Sequence, residues 1–183
     1  MSGIKSTNRW AFGDIVEFIP SDSTSYGLIC KIEQRKNYII RKATKLSKQT
    51  HIIASNIDQA LLIVTAVLPR TSTGFIDRFL LTCEAYKIPC ILVFNKIDLY
   101  EEETRQYADY LMSIYENIGY KCIETSAIEK TGLETLKEIL QDKTSLLSGH
   151  SGVGKSALIN AIDSNLNLKT SAISLSNLKG RHT

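Results

Sequence analysis

The feature that most restricts the fold is a glycine-rich stretch late in the chain, Gly149-His150-Ser151-Gly152-Val153-Gly154-Lys155-Ser156. It fits the phosphate-binding pattern G-x-x-x-x-G-K-[ST] at every fixed position. Such a loop turns its backbone N–H groups inward on an anion, and glycines are needed where a Cβ would block the turn or the phosphate. The motif therefore predicts a nucleoside triphosphate site, in which Lys155 reaches the outer phosphates and Ser156 binds Mg²⁺.

The segments on either side of this motif agree with that interpretation. Residues 143–148 are predicted to form a short buried strand, and residues 156–162 a helix whose N-terminus faces the phosphate. The alternative is a flexible glycine turn that precedes a lysine by chance. The order of strand, glycine loop and helix favours phosphate binding, and the predicted site includes every residue from Gly149 to Ala157.

The chain from residue 59 onward alternates long apolar segments with amphipathic ones. Strands are predicted at residues 60–67, 90–94 and 121–125. Apolar side chains recur at helical spacing between them, through about Lys87 in the first helix and up to Ile118 on the apolar face of the second. This alternation is typical of a parallel sheet covered by helices on both faces. An α/β fold is predicted, with a domain boundary near residues 55–58.

Residues 1–55 differ from residues 56–183 in the length and spacing of their apolar segments. Short strands are predicted there, at residues 12–19, 26–33, 37–41 and 51–54. They indicate a small OB-like β-barrel, or part of one. Residues 1–50 hold nine Lys or Arg against four Asp or Glu, so this basic end is predicted to contact a polyanion.

A second motif, Asn95-Lys96-Ile97-Asp98, matches the guanine-reading pattern N-K-x-D and follows a predicted parallel strand, where open α/β sheets bind ligands. The Asp98 carboxylate can accept hydrogen bonds from guanine N1–H and its 2-amino group, which adenine does not offer. The stem of Lys96 can pack on the base, and Asn95 can tie this loop to the phosphate loop. The alternative is a strand-to-helix turn in which Asp98 caps the next helix.

Ser126-Ala127 ends the following predicted strand, at the position where GTPases bind guanine O6 through a backbone N–H. Together the three motifs predict a site for GTP or GDP. In ordinary GTPases the phosphate loop precedes the base-reading motifs, whereas here it follows them. The domain is therefore predicted to be circularly permuted, which is permissible because the termini of a compact domain usually lie close together.

The motif order, followed by Lys179-Gly180-Arg181-His182-Thr183 and preceded by Phe12-Gly13-Asp14-Ile15-Val16-Glu17-Phe18, resembles that of the circularly permuted GTPases that depend on the small ribosomal subunit, the RsgA family. The resemblance implies a permuted GTPase domain, an OB-fold that touches ribosomal RNA, activation by the small ribosomal subunit, and a role in late subunit maturation. It also implies that His182 orients the attacking water and that Thr183 is a ligand of Mg²⁺.

The resemblance further implies a D-x-x-G segment and a Cys/His zinc-binding domain. The sequence given stops at Thr183, and neither feature is found in it. Zinc is therefore expected only in the family's further domain, and this chain is expected to behave as a fragment that hydrolyses GTP poorly. No apolar run is long enough to cross a bilayer and no leader peptide is recognised. A cytoplasmic monomer is expected.

Two other functions are compatible with parts of the sequence. One is an RNA-binding module whose nucleotide domain is catalytically incompetent, with a basic cluster and nearby aromatic side chains as the RNA contact. These residues are Arg35, Lys36, Arg41, Lys42, Lys45, Lys48, Trp10, Tyr26 and Tyr38. The other is an ATP-using P-loop kinase, which requires residues 95–98 to match N-K-x-D by accident. Selectivity for guanine distinguishes the kinase from the GTPase.

Overall fold

The computed structural model describes residues 10–21, 27–42, 50–163, 165 and 168. Its strands are β1 (Val16–Pro20), β2 (Gly27–Ile32), β3 (Tyr38–Lys42), β4 (Thr50–Ser55), β5 (Gln59–Val64), β6 (Cys90–Asn95), β7 (Lys121–Thr125) and β8 (Ser145–Ser148). Its α-helices are α1 (Thr73–Ala85), α2 (Glu102–Asn117), α3 (Leu133–Leu140) and α4 (Lys155–Ile162), and a 3-10 turn spans Ile97–Leu99. No helix within these ranges has the length and apolar character needed to cross a membrane.

The centre of the molecule is a four-stranded sheet in the order β7-β6-β5-β8, in which every neighbouring pair is parallel. In β5 all six residues are buried, which is why this strand reads as a nearly continuous apolar run. The register places Leu62 beside Leu92 on one side and Ser148 on the other. The predicted parallel α/β sheet is confirmed.

Alternate residues of the central strand β5 serve two separate cores. Leu62 and Val64 belong to the core that also contains α1 and α2, whereas Leu61 and Ile63 belong to the core formed with α3 and α4. This division follows from the two-residue period of a strand, which sends successive side chains to opposite faces. Helices therefore cover both faces of the sheet, as the sequence predicts.

The ends of some elements differ from the prediction. The helix predicted to run through Lys87 ends at Ala85, and Lys87 has φ +55°, which does not continue a right-handed helix. Ile118, predicted to lie on the buried face of α2, follows the end of that helix and is 64% exposed. The strand before the glycine loop is shorter than expected and begins at Ser145.

The first part of the chain forms two antiparallel hairpins, β1 with β2 and β3 with β4. These strands are compatible with an OB-like domain. The first hairpin is open on both sides, since Phe18, Ile19 and Leu28 are each at least 60% exposed. The second hairpin packs on the central sheet, because Ile39 is buried in the same core as α1. A closed barrel and a domain boundary at residues 55–58 stay predictions.

A partly buried ion pair links the segments that flank the two hairpins. The Arg35 guanidinium donates two hydrogen bonds of 2.7 Å to the Asp14 carboxylate, in the bidentate geometry that is strongest for this pair. The Ser55 hydroxyl and the Ala11 backbone N–H also donate to it, at 2.6 Å and 2.8 Å. These bonds, led by those from Arg35, lower the pKa of Asp14 to about 2, although burial opposes the shift.

This ion pair should make the free energy of unfolding depend on pH in acid. The folded pKa of Asp14, about 2, lies below its ordinary value of 3.8, so the stabilisation is present above about pH 4 and is lost as pH falls through about pH 2. The shift corresponds to about 2 kcal/mol. When the pH is lowered from about 6 to about 2.5, the free energy of unfolding measured with urea should fall less for Asp14→Asn than for the wild type. Equal losses would contradict the assignment.

Two members of the predicted RNA-binding cluster are already paired with carboxylates. Arg35 belongs to the ion pair described above, and Lys36 Nζ lies 3.0 Å from Asp58 Oδ1. Tyr38, predicted to be available for stacking, packs instead against Tyr86 with ring centroids 5.8 Å apart. Three further members lie outside the described residues: Tyr26, Lys45 and Lys48. These pairings weaken the prediction of a separate RNA-binding module.

Candidate nucleotide-binding site

All three sequence motifs lie at one edge of the central sheet. Because the four strands are parallel, their carboxyl ends share that edge, and the loops that follow them become neighbours in space. These loops are residues 65–72 after β5, 96–101 after β6, 126–132 after β7 and 149–154 after β8. The fold thus brings the late phosphate loop beside the earlier base-reading loops, whatever their order in the chain.

The phosphate loop, residues 149–154, needs glycine at both ends. Gly149 and Gly154 have φ values of +147° and +96°, where side chains are disfavoured. A Cβ on Gly149 would lie 2.4 Å from the carbonyl oxygen of Ile63, and one on Gly154 would lie 2.4 Å from Nδ2 of Asn95. The glycines therefore allow the loop to pack directly against the ends of β5 and β6.

Lys155 is the first residue of α4, and its ammonium group folds back over the loop. Its Nζ donates to the carbonyl oxygens of Gly149 at 2.7 Å and His150 at 2.8 Å. Burial lowers the pKa of Lys155, and among the described residues no carboxylate lies within ion-pair distance of it. A partly buried ammonium without a counter-ion would be stabilised by an anionic ligand.

Asn95 connects the phosphate loop to the base-reading side of the edge. Its side chain is buried, its Nδ2 donates to the carbonyl oxygen of Val153 at 2.8 Å, and its Oδ1 accepts from the hydroxyl of Thr125 at 3.0 Å. One amide group thus links residues of β6, β7 and the loop before α4. Because both of its polar atoms make hydrogen bonds and the side chain is buried, this junction should be rigid.

The other two residues of the N-K-x-D motif face neighbouring loops. Lys96 has φ +66°, and its Nζ donates to the carbonyl oxygen of Leu68 at 2.6 Å. The Asp98 carboxylate accepts a hydrogen bond of 2.5 Å from the Ser126 hydroxyl, so two predicted site residues from different loops are in contact. Neither the 3-10 turn nor α2 has a side-chain cap, which argues against the capping alternative for Asp98.

Sequence reasoning missed three contributors to this edge. The Tyr100 hydroxyl accepts from the N–H of Ala66 and donates to the carbonyl oxygen of Asn95, both at 3.3 Å, and burial raises its pKa to about 12. Leu68 supplies the carbonyl oxygen that binds Lys96, and the Phe75 ring stacks on His150. No motif marks these positions, and only the helical spacing of Phe75 with later apolar residues gives a signal.

The remaining predicted site residues fall into two groups. Ser156 and Ala157 lie half-buried in the first turn of α4, Ser151 and Gly152 are exposed in the loop, and Ala127 packs at the margin of the α3 and α4 core. The candidates from the end of the sequence, His182 and Thr183, lie outside the described residues. Their roles stay predictions.

A comparison with protein families decides which family has this arrangement. The family model described as RsgA GTPase matches residues 32–183, which includes the three motifs and the whole parallel sheet. The chain belongs to the RsgA GTPase family. The resemblance inferred from the order of the motifs is therefore confirmed.

Two named members of the RsgA GTPase family match the entire chain. It is 55% identical to the small ribosomal subunit biogenesis GTPase RsgA of Flavobacterium johnsoniae and covers 57% of that protein. It is 51% identical to small ribosomal subunit biogenesis GTPase RsgA 2 of Bacteroides thetaiotaomicron and covers 59% of it. The chain thus spans a little over half the length of these relatives.

Two solved structures share the fold. The crystal structure of YjeQ from Thermotoga maritima has a TM-score of 0.71 and 41% sequence identity, over 87% of this chain and 53% of that one. The structure of YloQ, described as a circularly permuted GTPase, has a TM-score of 0.66 and 35% identity, over 88% of this chain and 53% of that one. The fold is therefore that of a circularly permuted GTPase, as the motif order predicts.

Proposed function

We propose that this chain is the nucleotide-binding part of a GTPase, which binds GTP with Mg²⁺ and hydrolyses it to GDP and phosphate. The observation that carries the proposal is the pair of hydrogen bonds made by Asn95, which joins the phosphate loop through Val153 and the base-reading side through Thr125. A purine and its phosphates can be held together only if these loops keep a fixed separation.

The base is proposed to be selected by two loops that already contact each other. Asp98 accepts from guanine N1–H and the 2-amino group, the stem of Lys96 packs on the ring, and the backbone N–H of Ala127 donates to O6. The Ser126 hydroxyl, which donates to Asp98, fixes the direction of the carboxylate. A carboxylate has enough lone pairs to accept this bond and the two from guanine.

The phosphates are proposed to be held by the backbone N–H groups of the loop from Gly149 to Ala157 and by Lys155. To reach them, Lys155 exchanges the carbonyl oxygens of Gly149 and His150 for phosphate oxygens. This exchange is favourable because charge-assisted hydrogen bonds to an anion are stronger than bonds to neutral carbonyl groups. The N-terminus of α4 adds its partial positive charge at the same point.

The residues present also fit Mg²⁺, which prefers oxygen ligands. The Ser156 hydroxyl lies in the first turn of α4 and would hold the ion, with Thr183 proposed as a second oxygen ligand. When bound, Mg²⁺ neutralises charge on the phosphate oxygens. His182 is proposed to orient the attacking water.

The biological role is proposed from the relatives, whose names refer to biogenesis of the small ribosomal subunit. We propose that this protein acts on the small subunit in the cytoplasm as a monomer, and that residues 1–55 contact ribosomal RNA. Zinc is expected only in a further domain of the family and plays no part in the site proposed here.

Nucleotide competition tests the proposed function. Displacement of a fluorescent GDP analogue by GTP should need at least about 100-fold less nucleotide than displacement by ATP, because Asp98 would leave its hydrogen bonds unmade with adenine. Equal potency of ATP and GTP would refute the assignment. Addition of small ribosomal subunits should then raise the rate of phosphate release from GTP, and large subunits serve as the control.

A further inference from the structure

The loop after β5 is closed by its own hydrogen bonds and leads into the first turn of α1, which carries the aromatic ring of Phe75. The backbone N–H of Thr71 donates to the carbonyl oxygen of Thr65 at 2.8 Å, and the N–H of Thr65 donates to the Thr71 hydroxyl at 3.1 Å. The N–H of Phe75 donates to the carbonyl oxygen of Ser72 at 3.0 Å, in the first turn of α1. The backbone that carries the Phe75 ring is therefore held in place.

The Phe75 ring lies against His150, the second residue of the phosphate loop. The two ring centroids are 3.9 Å apart and the ring planes are inclined by 32°, a separation shorter than the usual range for aromatic pairs. His150 is otherwise exposed. This ring contact thus holds an exposed side chain of the phosphate loop against the first turn of α1.

His150 also accepts from the phosphate-binding lysine through its backbone. Its carbonyl oxygen accepts a hydrogen bond of 2.8 Å from Lys155 Nζ. The backbone at Gly149 and Gly152 has positive φ, and glycine permits many conformations. Asn95 holds the far end of this loop through Val153, and the Phe75 ring adds a contact near its start, at the residue between Gly149 and Ser151.

We propose that Phe75 is a positioning residue for the phosphate loop, which it holds in the nucleotide-binding conformation by stacking on His150. The consequence for nucleotide affinity rests on the function proposed above, whereas the consequence for the loop itself does not. Phe75 touches neither base nor phosphate in this proposal, so it acts through His150 alone.

The direct test is hydrogen exchange on the nucleotide-free protein. In Phe75→Leu, exchange of the amides of residues 149–154 should rise by roughly three- to tenfold, the range expected for loss of one aromatic pair. Phe75→Tyr keeps the ring and should keep the wild-type exchange. The matched control is Phe79→Leu, one turn further along α1 in the same core, which should leave these amides unchanged. Unchanged exchange in Phe75→Leu would overturn the proposal.

A double-mutant cycle tests whether His150 is the partner. Phe75→Leu and His150→Ala should each weaken binding of a fluorescent GDP analogue by roughly three- to tenfold. The double variant should have the same affinity as the single variant that binds less tightly. Losses that multiply would refute the stacking mechanism. If the wild type binds no guanine nucleotide, the proposed function fails, while the exchange measurement still decides the role of Phe75.

Discussion

Asp98→Asn should lower the affinity for GTP by roughly 10²- to 10⁴-fold, which is the value of two lost charge-assisted hydrogen bonds. The asparagine amide presents an N–H donor where guanine also presents one, so a hydrogen bond is lost and two donors face each other. For xanthine, which carries a carbonyl oxygen at that position, the same amide is complementary. The variant should therefore bind XTP more tightly than GTP, in the opposite order to the wild type.

Competition against a fluorescent nucleotide measures both affinities. Glu101→Gln is the control, because it removes a carboxylate from the same loop at an exposed position that is not assigned to the base. It should leave the preference for GTP intact. An Asp98→Asn protein that binds GTP as well as the wild type does would mean that the N-K-x-D match does not read the base.

Lys155→Met should produce the other large effect, a loss of roughly 10²-fold or more in GTP affinity, because the charged hydrogen bonds to the phosphates disappear. The stability of the nucleotide-free protein should change little, because relief of a disfavoured charge offsets the loss of the hydrogen bonds from Lys155 to the carbonyl oxygens of Gly149 and His150. Burial lowers the pKa of Lys155, which means that the environment disfavours its charge, and methionine fills similar space without that cost.

Isothermal titration with GTP and urea unfolding without nucleotide separate the two effects. Lys137→Met, on the exposed face of α3, is the matched control and should change neither affinity nor stability by much. If Lys155→Met binds GTP normally, the proposed role of this ammonium group is wrong. If it loses GTP binding only because it unfolds, the urea midpoint will fall as well.

Much of the fold could be predicted from short-range patterns. The apolar run of β5 and the helical spacing of α2 and α3 depend on local burial, and the structure contains all three. Errors are concentrated at the ends of elements, such as Lys87 and Ile118, where a change in backbone direction competes with the apolar pattern. The pairing of the first hairpin was less predictable, because its apolar and polar residues alternate imperfectly and Phe18, Ile19 and Leu28 stay exposed.

Residue types and spacing by themselves predicted the reversed motif order, the family and the ligand class proposed here, because the chemistry of phosphate and guanine recognition demands particular side chains at fixed local intervals. Only the tertiary structure decided what holds those motifs together. The bonds from Asn95 to Val153, from Ser126 to Asp98 and from Lys96 to Leu68, and the stack of Phe75 on His150, join residues that are distant along the chain. Such contacts carry no local sequence pattern, since they exist only after parallel strands have brought their ends to one edge.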